Sequence, residues 1–337
     1  MVRNKLFSRI ALAATLLALF VVVLGAYVRL SDAGLGCPDW PGCYGQLTVT
    51  QVEKDVAAAE TAYPERKFEA PKAWKEMIHR YFASSLGLLI LILAVMSWRR
   101  RSEPDQPVKL PLFLLVLVIF QGLLGMWTVT LLLKPVMVMG HLLGGMTILA
   151  LLWWLTLRSG HYFYPNRGIT VQRGLLPLAI IGLVVVASQI ALGGWTSANY
   201  AALSCPDFPA CQKQWWPSMD FAEAFVMWRG LGIDYEGGVL ENTARVAIHM
   251  THRMGALITL LFVGWLSLKL ILSKSGLTVR GLGVVLLLAL LVQISLGIAN
   301  VMLSLPLAVA DAHNGVAALL LLIMVTLIHT LSARDRT

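Results

Sequence analysis

An all-α integral membrane protein is the fold the sequence predicts: eight transmembrane helices, arranged as two pseudo-twofold-related four-helix bundles. Three observations predict it. Of the 337 residues, 58% are hydrophobic and 13% charged, and mean hydropathy is +0.73, whereas soluble domains carry about 25% charged residues. Eight apolar segments follow one another, each near the ~20 residues a bilayer needs. Landmarks of the first half then recur in the second at an almost constant shift, the mark of an internal repeat.

The segments run roughly 10–28, 81–98, 110–131, 136–157, 174–196, 246–270, 279–302 and 307–330. The first follows Arg3, Lys5 and Arg9 and so resembles a signal peptide. Its apolar run is too long for one, and no small-residue cleavage site follows, so a retained helix is expected. Basic residues orient the rest. Arg99, Arg100, Arg101 and Lys109 lie between spans two and three, and Arg158, Arg167 and Arg173 between four and five. Lys269, Lys274 and Arg280 lie between six and seven, and Arg334 and Arg336 follow the eighth. All are same-side loops of an eight-span chain, which predicts that both termini are cytoplasmic. The net charge of +9 is accounted for there. No basic tract is interleaved with aromatics as a nucleic-acid groove requires, so the predicted partner is the lipid bilayer and not nucleic acid.

The opposite face carries long loops at about 29–75 and 197–245 and short ones at Pro135 and Pro306. Cys37-Pro38-Asp39-Trp40-Pro41-Gly42-Cys43 matches Cys205-Pro206-Asp207-Phe208-Pro209-Ala210-Cys211, and His79-Arg80 matches His252-Arg253. Gln121 stands twenty residues before His141, and Gln293 twenty before His313. The shifts are 168 residues for the first cysteine of each motif, 173 from His79 to His252, and 172 from His141 to His313. Two parallel halves follow, 1–160 and 161–337, related by an axis along the membrane normal.

Of the seven histidines, His161 falls in a cytoplasmic loop and His329 at the cytoplasmic end of the last span; both are expected to be solvated or interfacial. His141 and His313 lie six and seven residues past Pro135 and Pro306, ~10 Å into their spans at 1.5 Å per residue. His79 and His252 enter from the same outer side. Four intramembrane histidines in symmetric pairs at one depth point to function. Paired imidazoles suit a metal or haem iron; a bare zinc ion would want further ligands. Bis-histidine haem is the reading, His79 with His141 and His252 with His313. Small residues beside the second ligands (Gly140, Gly144, Gly145; Ala312, Gly315, Ala317, Ala318) leave room for a macrocycle or serve helix packing.

Cysteines pair at i, i+6 in outer loops, Cys37 with Cys43 and Cys205 with Cys211. That favours disulfides, either structural or exchanging with a partner, with loop-borne metal binding as a further use. Where the first half has Glu76, three residues before its histidine, the second has His249. A carboxylate there can act as a base or stabilise positive charge on a substrate, or merely sit near a helix amino end. Arg80 and Arg253 lie within reach of haem propionates or lipid phosphates. His249 has no role the sequence explains.

Two four-span halves, CPDWPGC in the outer loop, Glu-x-x-His-Arg on span two and single histidines on spans four, six and eight together resemble the haem A synthase family. The closest likeness is to its bacterial type, with a cysteine pair in both long loops. The resemblance covers essentially the whole chain. It implies that His79 and His141 hold substrate haem O in the first half and His252 and His313 hold a haem b cofactor in the second, with Glu76 as the catalytic carboxylate. It also implies that Cys37 and Cys43 matter to activity more than the second pair. The implied reaction oxidises the C8 methyl of haem O to a formyl group by two successive water-derived hydroxylations, giving haem A. Implied partners are haem O synthase (a farnesyltransferase) as substrate donor, cytochrome oxidase assembly, a membrane quinone as acceptor and a homo-oligomeric state. The expected location is a bacterial inner (cell) membrane, with the catalytic layer toward the outer face. A di-haem b electron-transfer protein or a haem transporter on the same scaffold are the rival readings; the Glu76/His249 difference favours unequal sites and the synthase.

Overall fold

The structure is a computed structural model that describes residues 5–160 and 174–332. His161, Arg3, Arg167, Arg173, Arg334 and Arg336 lie outside the described residues. Among the described residues eight helices are long and apolar enough to cross a membrane: α1 (Lys5–Leu30), α4 (Ala70–Arg99), α5 (Lys109–Thr130), α6 (Pro135–Gly160), α7 (Leu175–Ala198), α9 (Asn242–Ile271), α10 (Leu277–Met302) and α11 (Leu307–Ser332). Short helices α2 (Val49–Lys54) and α3 (Val56–Ala62) lie in the first long loop and α8 (Phe221–Ala224) in the second. The described residues contain no strand.

Each span falls where its apolar run predicts, with one informative difference. The run beginning at 81 belongs to a helix that starts at Ala70. Pro71 suits the first helical turn because it has no N–H to leave unpaired. Nothing after it breaks the helix until Arg99, and Lys72, Lys75 and Glu76 lower the hydropathy without lowering helical propensity. Glu76 therefore lies past the first turn of α4, beyond the helix-end position considered from sequence.

Within the first half α1, α4, α5 and α6 close a ring in which each helix packs on its neighbours, and α7, α9, α10 and α11 close a second ring. The rings meet where α1 packs on α11, α6 on α7 and α6 on α11. Exchanging α1 for α7, α4 for α9, α5 for α10 and α6 for α11 turns the α1–α11 contact into the α6–α7 contact and the α6–α11 contact into itself. Ile90, Leu93, Leu114 and Leu152 are buried in the first ring, and Val263, Leu266, Leu286 and Leu290 in the second. Large apolar side chains such as Leu16, Val116, Ile119 and Leu261 face outward, as lipid-facing positions require. Because lipid tails are as apolar as leucine, helix association rests on close packing and hydrogen bonds of about 0.6 kcal/mol each. Thr15 and Thr156 share one across α1 and α6 at 2.9 Å, and Trp153 donates to Thr326 across α6 and α11 at 2.8 Å.

The short turns before α6 and α11 are built alike. Leu132 and Leu133, and then Ser304 and Leu305, adopt positive φ, and the N–H groups of Leu133 and Leu305 close onto Thr128 and Asn300 carbonyls at 2.8 and 2.7 Å. This left-handed closure starts α6 and α11 in one register, so His141 and His313 are each the seventh residue of their helices. The long loops are not alike. The second crosses over the first half: Tyr235 N–H reaches the Leu132 carbonyl at 3.1 Å, and Lys134 sits 3.2 Å from the centre of the Trp228 ring. Arg66 pairs with Asp234 at 2.6 Å and with Glu236.

Candidate functional site: a duplicated histidine pair

The rings of His79 and His141 face each other with centroids 6.4 Å apart and planes at 74°. Two imidazoles bound to one metal from opposite sides, with metal–nitrogen bonds of about 2 Å, would place their centroids roughly 6 Å apart, so the pair fits a six-coordinate haem iron. His252 and His313 lie within electrostatic reach of one another. All four rings are partly exposed, as is every residue from Val136 to Gly145 along the His141 helix.

Each histidine rests on a glycine of the preceding span. A Cβ on Gly25 would stand 2.9 Å from Cε1 of His79, one on Gly125 3.1 Å from His141, one on Gly193 3.2 Å from His252, and one on Gly297 3.1 Å from His313. Four ledges, one per odd-numbered span, set how far each ring can retreat into the bundle. Gly193→Val is expected to push the His252 ring off its axis and weaken the second site's low-spin haem spectrum at least several-fold, measured by absorbance of the purified protein. An unchanged spectrum would show the ledge to be incidental.

Three of the rings also meet a glutamine one turn before that glycine. Nε2 of Gln121 donates to the His141 carbonyl at 2.6 Å and lies 3.1 Å from Nδ1. Nε2 of Gln189 does the same for His252 at 3.1 and 3.0 Å. Gln293 meets His313 at Nε2, at 3.2 Å. From sequence, Gln121 and Gln293 were only landmarks of the repeat, and Gln189 escaped notice. The signal that would have found it is Gln-x3-Gly, present at Gln121-Gly125, Gln189-Gly193 and Gln293-Gly297, with Val21-x3-Gly25 in the first span.

The small residues near the second ligands divide between the two uses weighed from sequence. The groove above Gly144 is filled, because a Cβ there would lie 2.1 Å from Oε1 of Gln121. Ala318 is fully buried in the first ring's core. Those two serve packing. Ala312, by contrast, is exposed.

Glu76 is 4% exposed. Its Oε2 accepts the Cys37 N–H at 2.9 Å, and Oε1 pairs with Arg80. Arg80 also donates to the carbonyls of Asp39 (3.0 Å), Pro41 (3.3 Å) and Gly42. Carboxylate and guanidinium together grip the first cysteine loop. Arg253 grips the second, donating to Ala210 at 2.8 Å, Cys205 at 3.0 Å and Asp207 at 2.8 Å. Both arginines are thus committed to loop carbonyls. The residue without an account from sequence gains one: His249 is buried, and its Nδ1 lies 3.0 Å from the Ala201 carbonyl. A carbonyl only accepts, so Nδ1 carries the proton and the ring ties α9 to the turn after α7.

Disulfides join Cys37 to Cys43 and Cys205 to Cys211, with all four cysteines fully buried. That burial removes the exposure on which ready exchange with a partner depends. Inside each loop an aspartate caps the turn: Asp39 accepts from Tyr44 and Gly45 at 2.6 and 2.8 Å, and Asp207 from Gln212 and Lys213 at the same distances. The Lys213 N–H, joined by that of Gln212, holds the Asp207 carboxyl below the usual carboxylate range.

Two other residues depart from expectation. His329 is not solvated: it is 4% exposed and packs edge-on against Trp154, centroids 5.2 Å apart, because α6 and α11 remain in contact to their carboxy-terminal ends. Asp311, not singled out from sequence, lines a cleft between α1 and α11 with Val23 and Tyr27. Its counterpart in the first half is Met139, so no repeat signal marked it.

Comparison with known proteins agrees with this architecture. The chain is 47% identical over 322 residues to the haem A synthase of Shewanella oneidensis, covering 95% of this chain and 94% of that protein. It is 28% identical over 334 residues to the haem A synthase of Mesorhizobium japonicum and 27% identical over 334 residues to that of Chelativorans sp., each time covering 95% of this chain and 89% of the relative. The sequence model of the cytochrome oxidase assembly protein family (COX15-CtaA) matches residues 8–325, and the chain belongs to that family.

Proposed function

We propose that this protein is a haem A synthase whose first half (1–160) binds the substrate haem O through His79 and His141, and whose second half (161–337) binds a haem b through His252 and His313. The observation that carries the reading is a duplicated histidine site with one chemical difference, Glu76 against His249. Conversion of the C8 methyl to a hydroxymethyl with oxygen from water releases two electrons and two protons, and a second round followed by loss of water gives the formyl group. When bound, haem b supplies a path for electrons toward an acceptor of the quinone class.

The chain's own residues do the rest. The histidine pair fixes the plane of the substrate. Glu76 keeps a negative charge at the outer edge of that site, oriented by the Cys37 N–H and by Arg80, where it stabilises positive charge developing on the methyl carbon and takes up a proton. Arg80 and Arg253 hold the cysteine loops against the helices that carry His79 and His252. Eight crossings put both termini on one face, here the cytoplasmic face of a bacterial inner membrane. Haem O reaches the first half from haem O synthase, and the product serves cytochrome oxidase assembly.

Cells making haem O synthase with this chain should yield haem A on extraction, identified by mass; protein that carries haem b alone and never haem O or A would refute the reading. The loops give a further expectation. Of the four cysteines, Cys37 gives its backbone N–H to the carboxylate, so opening that disulfide in Cys37→Ser with Cys43→Ser frees the loop that orients Glu76 and should slow haem A formation roughly tenfold or more, the scale of misplacing one hydrogen bond to a charged group. Cys205→Ser with Cys211→Ser should cost much less at equal protein level. Equal losses would contradict the Glu76 link.

A further inference from the structure

The two seams where the rings meet are equivalent by the repeat and unlike in content. Between α6 and α7 the space is filled. Trp195 is 4% exposed, donates to the Ala224 carbonyl at 2.9 Å and packs with Met139. Leu142 closes on Gly194, where a Cβ would lie 2.7 Å from it. Between α1 and α11 the repeat puts Tyr27 at the place of Trp195, Asp311 at that of Met139 and Asn314 at that of Leu142. There a cavity of about 500 Å³ opens, within the ~300–1,000 Å³ of small-molecule pockets.

This cavity lies on the perimeter of the bundle. α4 flanks it on one side and α10 on the other, and neither packs across to the other ring. Its wall on α11 includes Ala308 and Ala312, small and exposed, which leave it flat. Set among these apolar groups, Oδ1 of Asp311 is buried with no hydrogen-bond partner. An ionisable group is costly at membrane depth, and a lipid chain has no O–H to offer it. Asp311 is the fifth residue of α11, two before His313, and so lies on roughly the opposite face of the helix. One helix width, about 10 Å, separates the cavity from the His313 ring, close enough for direct electron transfer.

We infer that this cavity holds the headgroup of a quinone-class carrier, the electron acceptor in the haem A synthase reading on which this site rests. Tyr27 donates to a quinone carbonyl, Asp311 accepts from a hydroxyl of the quinol, and the carrier's tail runs out between α4 and α10 into lipid. Each oxidation then balances as R–CH3 + H2O + quinone giving R–CH2OH + quinol. Two electrons and two protons leave the methyl and the water, and the carrier takes up two of each. A second carrier serves the second round.

The test uses the full chain made beside haem O synthase. A short-tailed azido-quinone, photolysed on the purified protein, should label peptides around Tyr27 and Asp311, located by mass, and excess plain quinone should suppress the labelling. Asp311→Met, which copies the filled seam, should raise the quinone concentration needed for half-labelling about tenfold, the scale of one hydrogen bond to a charged group. Ala308→Phe, which fills the cavity from the face away from His313, should block labelling. In both variants a plain quinone should reoxidise reduced haem b more slowly, whereas ferricyanide should reoxidise it at the usual rate. Labelling elsewhere, or labelling and quinone-driven oxidation unchanged in both variants, overturns the site and leaves the synthase reading standing. Labelling suppressed by excess haem O but not by excess quinone gives the cavity to the substrate and overturns the site as well. If the wild-type protein is labelled as expected but carries no haem b, the reading itself fails and the acceptor role falls with it.

Discussion

Glu76→Gln is expected to abolish formation of the formyl group while both haems stay bound. Glutamine keeps the size of the side chain and an oxygen for the Cys37 N–H, now 2.9 Å from the carboxylate, so the first cysteine loop should keep its place. What disappears is the charge. A buried carboxylate paired with Arg80 cannot move far, and removing an oriented base or charge-stabilising group typically costs 10²–10³-fold or more. Haem A yield should therefore fall at least about 100-fold, read by extraction and mass, with both haem absorbance bands at their normal intensity. Loss of both haems together would make Glu76 a latch for the loop and nothing more. Glu76→Ala is the harsher variant: it leaves Arg80 without its carboxylate, so lowered thermal stability is expected beside the lost activity.

His313→Ala and His252→Ala are each expected to remove the haem b spectrum. One imidazole cannot maintain a six-coordinate low-spin iron, and the glycines that face these rings, Gly297 and Gly193, carry no side chain to take the missing ligand's place. His329→Ala provides the contrast. That ring is buried against Trp154, so its loss should lower stability by about 1–3 kcal/mol while both haem spectra persist. An intact haem b band in His313→Ala would overturn the pairing of His252 with His313.

The eight spans, the two cysteine loops and the four histidines were legible because each leaves a local mark: an apolar run, a repeated motif, an ionisable group where none is cheap. The start of α4 was not, since Lys72, Lys75 and Glu76 hide a continuous helix from a hydropathy reading. The partners of the side chains were not legible either. Arg80 and Arg253 could reach propionates or lipid phosphates by spacing alone; only the folded loops show carbonyls in contact instead. His249 needed the turn at Ala201 before it had a partner. The glycine ledges and Gln189 were written in the sequence as Gln-x3-Gly, but a glutamine and a glycine on an apolar helix gain meaning only when a neighbouring helix brings a ring against them. Differences between the halves, such as Val21 for glutamine or Asp311 for Met139, are invisible until the halves are superimposed by register.

The central claim is that one duplicated scaffold holds two unequal haem sites, the first for substrate and the second for a resident cofactor. Haem extraction from the His79→Ala and His252→Ala proteins, each made beside haem O synthase, tests it most directly. The account predicts haem b without haem O or A in the first protein, and haem O without haem b or haem A in the second. Equal loss of every haem from both proteins, or haem b lost from the His79→Ala protein alone, would contradict it.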